Sequence, residues 1–75
     1  MVNGKVLYLL RKIKGFTQAE VARRLKISQQ TYSKIERSEI VEHKQLLKII
    51  KAMESSEEEV GELVKMMEKG GSFLR

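Results

Sequence analysis

Two helix-start signals stand eleven positions apart and leave the chain between them little freedom. Thr17 is followed at the third helical position by Glu20. This is the Thr-x-x-Glu arrangement of a capping box, in which hydroxyl and carboxylate each accept a backbone N–H. Ser28 supplies a second N-cap. A helix starting after Thr17 must therefore end near Leu25 or Lys26. Two such short helices, about eight to ten residues each and almost unconnected, must cross at a steep angle. The N-terminus of the second helix is thereby pushed outward.

The remaining sequence reads as helix on both sides of this pair. It holds no proline and no polar–apolar alternation of strand length. Asn3 is an N-cap for a first helix running to about Lys14, with Gly15 as its stop. Val2, Val6, Leu9 and Ile13 form one stripe of that helix and Leu7 and Leu10 a second, so the apolar arc spans roughly 160°. One stripe serves the core and the other needs a second helix or a partner chain. Lys5, Arg11 and Lys12 fall on the polar side. In the second helix Val21, Ala22 and Leu25 face inward, Arg23 and Arg24 outward, and Phe16 is placed as a hydrophobic staple to Val21.

The third helix buries Ile27, Thr31 or Tyr32, and Ile35. Tyr32 is expected in the core with its hydroxyl at the surface. Gln29, Gln30, Ser33, Lys34 and Arg37 stay exposed. A loop covers 38–42, and a fourth helix covers about His43 to Met53. That helix has no clear Ser, Thr, Asp or Asn cap, which predicts a more mobile loop before it. His43 reads as a first-turn surface residue. Ser56, in preference to Ser55, caps the fifth helix because Glu59 then occupies the third position. Glu57 and Glu58 suit the positive end of its dipole. Val60, Leu63, Val64 and Met67 give its inward face, and Gly70 and Gly71 end it. The expected organisation is one domain over 1–69 and a flexible tail over 70–75.

Composition removes several function classes. There is no cysteine, no aspartate and one histidine, so neither a disulfide framework, a Cys-based zinc site nor a Ser-His-Asp triad can be built. No catalytic residue, metal site or cofactor is expected, and a five-helix domain this small offers little pocket for an enzyme. No apolar run approaches the roughly 18–20 residues of a membrane span, and no signal peptide is legible. A cytoplasmic, nucleoid-associated protein is expected.

Charge is divided unevenly. Residues 1–37 carry nine lysines and arginines against Glu20 and Glu36, whereas 38–75 carry six against eight glutamates, within a net charge of +5. A basic half joined to a mildly acidic one suggests one surface that meets a polyanion. The capped pair, Thr17 to Ser38, supplies the means. A helix-turn-helix presents the N-terminus of its second helix to the DNA major groove.

Leu10–Arg11, Gly15–Phe16–Thr17–Gln18, Val21–Ala22, Leu25, Ile27–Ser28–Gln29 and Ser33–Lys34–Ile35–Glu36–Arg37 together resemble the Cro/phage-repressor (XRE-type) helix-turn-helix family. The resemblance covers roughly residues 3–67. It implies an all-α, compact five-helix, lambda-repressor-like domain. The function it implies is a sequence-specific double-stranded DNA-binding transcription regulator, a repressor first, acting as a homodimer on a two-fold symmetric operator. The alternative is an antitoxin or adaptor that binds DNA and also a protein partner, a toxin or another regulator.

With about Ser28–Arg37 as recognition helix, the resemblance makes Gln29, Gln30, Ser33 and Lys34 base-contact candidates. Thr17 and Gln18 become backbone anchors, with Ser28, Thr31 and Arg37 beside them. A glutamine amide suits adenine N6 and N7, worth about 1–3 kcal/mol of discrimination. The resemblance also pairs Arg11 with Glu36, as an ion pair or a packing contact. Met53, Met66 and Met67 read as core or interface filler. Leu63, Met66, Met67 and Phe73 are the dimer-interface candidates, unless they pack on their own chain.

Two departures from the family pattern stand out. Lys26 occupies a position often held by glycine, and a left-handed lysine costs about 1 kcal/mol. Ser38 replaces a second common glycine.

Overall fold

The computed structural model describes residues 2–69. It contains α1 (Gly4–Lys14), α2 (Gln18–Leu25), α3 (Gln29–Glu36), α4 (His43–Ala52) and α5 (Glu57–Lys69). The expected helix stop at Gly70–Gly71, the tail and Phe73 lie outside the described residues.

The expected caps start the helices. Asn3 Oδ1 accepts the Val6 N–H, Ser28 Oγ the Thr31 N–H at 3.1 Å, and Ser56 Oγ the Glu59 N–H at 3.2 Å. At Thr17 the box is reciprocal: the Glu20 N–H donates to Thr17 Oγ1 at 3.0 Å and the Thr17 N–H to Glu20 Oε1 at 2.9 Å. Ser55 serves the fifth helix differently, its hydroxyl donating to Glu59 Oε1 at 2.8 Å.

Three helix ends share one device. After α1 the Phe16 N–H reaches back to Arg11 O and the Gly15 N–H to Lys12 O. After α2 Ile27 and Lys26 do the same to Ala22 O and Arg23 O, and after α4 Ser55 and Glu54 to Ile50 O and Lys51 O. These are Schellman ends, whose pivot residue must be left-handed. Gly15 takes that conformation at φ 80°, but Lys26 at φ 60° and Glu54 at φ 55° carry side chains into it.

The core gathers Val6, Leu7, Leu10, Val21, Ala22, Tyr32, Val41, Leu46, Ile49, Ile50, Met53, Val60 and Leu63. α2 packs on α3 and α4, and α1 packs on α3 and α5. Both apolar stripes of α1 are thus taken up largely by the chain's own helices, and Leu63 is core, not a free interface residue. Met67 is half-buried against the same core, while Met66 is 52% exposed.

Ile13 departs from expectation at 62% exposure, and Arg11 is buried where the polar side was expected. The cause is the approach of α1 to α3. Gly4 lies against the end of α3, where an added Cβ would collide with the Ile35 and Glu36 carbonyls, and its N–H donates to Ser38 O at 2.8 Å. That contact turns the buried arc of α1 towards Leu7 and Arg11 and leaves Ile13 outside.

The loop over 38–42 is pinned rather than loose. Glu42 makes no side-chain cap, as expected. However, the Val41 N–H donates to Val2 O at 2.8 Å in an isolated bridge, the Val41 side chain is buried, and Ser38 Oγ donates to Ile35 O at 2.7 Å.

A second set of contacts ties the α4–α5 turn to α1 and α2. Lys14 bonds the Glu59 carboxylate at 3.0 Å, and Arg24 bonds Glu54 at 2.8 Å and Ala52 O at 3.0 Å. The Arg24 guanidinium also lies 4.6 Å from the centre of the Phe16 ring.

The left-handed lysine yields a stability prediction. Lys26 is exposed and its side chain makes no hydrogen bond or ion pair among the described residues. Lys26→Gly relieves the strain and is expected to stabilise the domain by about 1 kcal/mol. For a domain this small that raises the Tm by about 4–8 °C in thermal unfolding.

Candidate nucleic-acid interface

Six of the nine expected contact residues line one shallow concavity: Gln18, Gln29, Gln30, Ser33, Lys34 and Arg37. The spacing of α3 explains this, because residues three and four apart share a helix face. Gln29, Gln30, Lys34 and Arg37 are exposed, whereas Gln18 and Ser33 are half-buried. Thr17, Ser28 and Thr31 sit outside the concavity, at or beside the N-termini of α2 and α3. Thr31 is exposed and Tyr32 takes the buried position of the pair.

Hydrogen bonding separates the candidates further. No hydrogen bond among the described residues engages the side chains of Gln29, Gln30 or Lys34, so their donors and acceptors meet solvent. Arg37 instead folds back to donate to Ser33 Oγ at 2.9 Å. Thr17 Oγ1 acts as an acceptor in its cap, which leaves its proton to donate. The Ser28 hydroxyl proton is committed to Thr31 Oγ1 at 2.8 Å, so at this end of α3 the free hydroxyl proton belongs to Thr31. The N–H groups of Gln18, Ala19, Gln29 and Gln30 precede the first intrahelical bonds and offer donors at positive dipole ends.

Behind the concavity lies a buried ion pair. Arg11 Nε donates to Glu36 Oε2 at 2.7 Å and its Nη2 to Glu36 Oε1 at 3.2 Å, a two-pronged contact between α1 and α3. A third donor, Nη1, reaches Phe16 O at 3.0 Å and fixes the chain just before α2. Gln18 Nε2 donates to Glu36 Oε1 at 3.0 Å. One carboxylate therefore holds α1, α3 and the first residue of α2 together. It also orients the Gln18 amide, a role beyond the backbone anchor expected of Gln18.

The protonation states follow from these contacts. Burial disfavours the Glu36 charge, but the bonds from Arg11 and Gln18 outweigh it and hold its pKa below the usual carboxylate value. The bond to Glu36 raises the pKa of Arg11. Tyr32 packs beside them with its hydroxyl buried and without a hydrogen-bond partner among the described residues, contrary to the surface position expected for it. Burial first, and the close approach of the Glu36 carboxylate next, push its phenol pKa up.

Glu36 makes stability depend on pH. A depressed native pKa means that the unfolded chain takes up this proton first, so the contribution is full above about pH 4.5. It is lost as the pH falls through the native value. Wild type should therefore lose stability in acid denaturation below about pH 4.5. Arg11→Met alone leaves a buried carboxylate uncompensated and should cost about 3–5 kcal/mol, while Arg11→Met with Glu36→Leu should recover most of that and flatten the acid limb. Urea titrations across pH check both.

Comparison with family models gives one match, to helix-turn-helix, over residues 7–60. The matched stretch runs from within α1 through α4 to the first turn of α5, and contains the capped pair, the concavity and the ion pair. Comparison with curated proteins and with solved structures gives no significant match. No helix among the described residues is long and apolar enough to cross a membrane. With five helices among its described residues and its α2–α3 pair, the chain belongs to the Cro/phage-repressor (XRE-type) helix-turn-helix family of DNA-binding regulators.

Proposed function

We propose that this protein is a sequence-specific transcription regulator, a repressor first, that reads double-stranded DNA with α3 in the major groove. One observation carries the reading. Gln29, Gln30 and Lys34 project from one exposed face, their polar groups engaged by no hydrogen bond among the described residues, beside the exposed N-termini of two helices.

The parts divide by chemistry. Gln29 and Gln30 are the base readers, since an amide bonds adenine N6 and N7 together. Lys34 and Ser33 lie one turn on and serve neighbouring base edges or phosphate. Thr17, Thr31 and the free N–H groups of Gln18 and Ala19 anchor the sugar–phosphate backbone, with Ser28 holding the cap and Arg37 able to swing from Ser33 to phosphate. Repression is the simpler role, since blocking an operator requires only tight occupancy.

Length argues for two copies. α3 has eight residues and is about 12 Å long, so one copy covers only about three or four base pairs. A two-fold pair would set two such helices about 34 Å apart on one DNA face. Among the described residues Met66, exposed on α5, is the interface candidate that the fold leaves open. Sedimentation with and without operator should show a dimer at least on DNA, and a strict monomer in both conditions would refute the pairing.

Selection from a randomised duplex library tests the reading itself. It should return a short symmetric site. Gln29→Ala or Gln30→Ala should cost about 1–3 kcal/mol and relax preference at one or two base pairs per half-site. Lys34→Ala, if it meets phosphate, should weaken all sequences alike and reduce the salt slope by about 0.9. Equal affinity for every duplex at physiological salt would overturn specific readout.

A further inference from the structure

The recognition concavity does not end at Gln18, Ser33 and Arg37. Those three residues also border a second concavity, completed by Lys5, Tyr8 and Glu36, between α1 and α3. The two hollows form one continuous face, and the second half of it is built by α1. We propose that Lys5 and Tyr8 form a clamp for a backbone phosphodiester of the bound DNA, beside the α2 N-terminus. The clamp rests on the DNA-binding reading and extends its contact surface.

Tyr8 is the unusual element. It is a large aromatic, 42% exposed, on the charged side of α1. The Arg11 guanidinium lies 5.5 Å from its ring centre and the Lys12 ammonium 6.0 Å. Contacts of this kind fix a ring through its electron-rich face. Arg11 is itself locked to Glu36, so the phenol is held in register with α3. Its hydroxyl makes no hydrogen bond among the described residues and remains a donor.

The charges around the hollow favour an oxyanion. Lys5 and Arg37 line it and Lys12 stands behind Tyr8, while the Glu36 carboxylate is already bonded by Arg11 and Gln18. A phenol O–H and a lysine ammonium converging on one hollow suit a single phosphate. Gln18 belongs to both hollows, so a strand whose phosphate meets the α2 N-terminus continues past Lys5 and Tyr8.

The test uses the full chain and the duplex recovered by selection, comparing Lys5→Ala, Tyr8→Phe and, as a distant cation, Lys65→Ala. Lys5→Ala should weaken binding about fivefold at 0.15 M salt, alike for all sequences, and lower the salt slope by about 0.9. Tyr8→Phe keeps the ring and loses the donor, so binding should fall about three- to tenfold with the slope unchanged. Lys65→Ala should change neither quantity. A neutral methylphosphonate at one flanking position should erase the effects of Lys5→Ala and Tyr8→Phe together. Wild-type binding by both α1 variants, or an equal loss in Lys65→Ala, overturns the clamp while the α3 reading stands. A wild type that selects no sequence overturns both.

Discussion

The pair between Arg11 and Glu36 is the contact on which the architecture of the interface depends. It is buried and two-pronged, and both residues belong to helices that also face the concavities. A charge removed from water must be fully partnered or it destabilises the fold. Here every partner is also a positional constraint. Glu36 ties α3 to α1 through Arg11 and to the start of α2 through Gln18, and Arg11 holds the Phe16 carbonyl in addition. A hydrophobic replacement could match its stability, but it would not aim the Gln18 amide or place Phe16 O. The value of the pair is therefore directional, fixing the angle at which α3 leaves the core.

The rest of the domain supports that angle from outside. Gly4 admits the end of α3 against α1, and the Val2–Val41 bridge closes the loop that follows. On the far side Lys14 and Arg24 bind the turn that contains the left-handed Glu54. Each of these exposed ion pairs contributes little alone. Together they hold a turn whose backbone is strained, as α2 and α3 hold Lys26. Strain of about 1 kcal/mol at such a pivot is tolerable because two backbone hydrogen bonds and the packing of Ile27 depend on it.

Much of the fold was legible because it is written in local chemistry. A cap acts on N–H groups two or three residues away, so Asn3, Thr17, Ser28 and Ser56 could be identified without knowing what the helices touch. The left-handed Lys26 was expected only through the family resemblance, which puts a glycine at that position. The exposed faces of α3 followed from helical spacing and a short turn, which is why Gln29, Gln30, Ser33 and Lys34 come together as expected. Ile13 was misplaced because periodicity defines an arc but not which neighbour covers it. Tyr32 was misjudged at its hydroxyl because only packing decides how deep a ring sits.

The sequence by itself determined the helices of the described residues, where most of them begin, and the outward face of α3. These are set by interactions that span one or two turns. Only the tertiary structure decided which part of the α1 arc is buried, how firmly the 38–42 loop is held, and that Lys5 and Tyr8 share a surface with Gln18, Ser33 and Arg37. Those outcomes depend on contacts between residues far apart in the chain, such as Gly4 with Ser38, Val2 with Val41 and Arg11 with Glu36. No local period encodes them, because each forms only once the helices have packed.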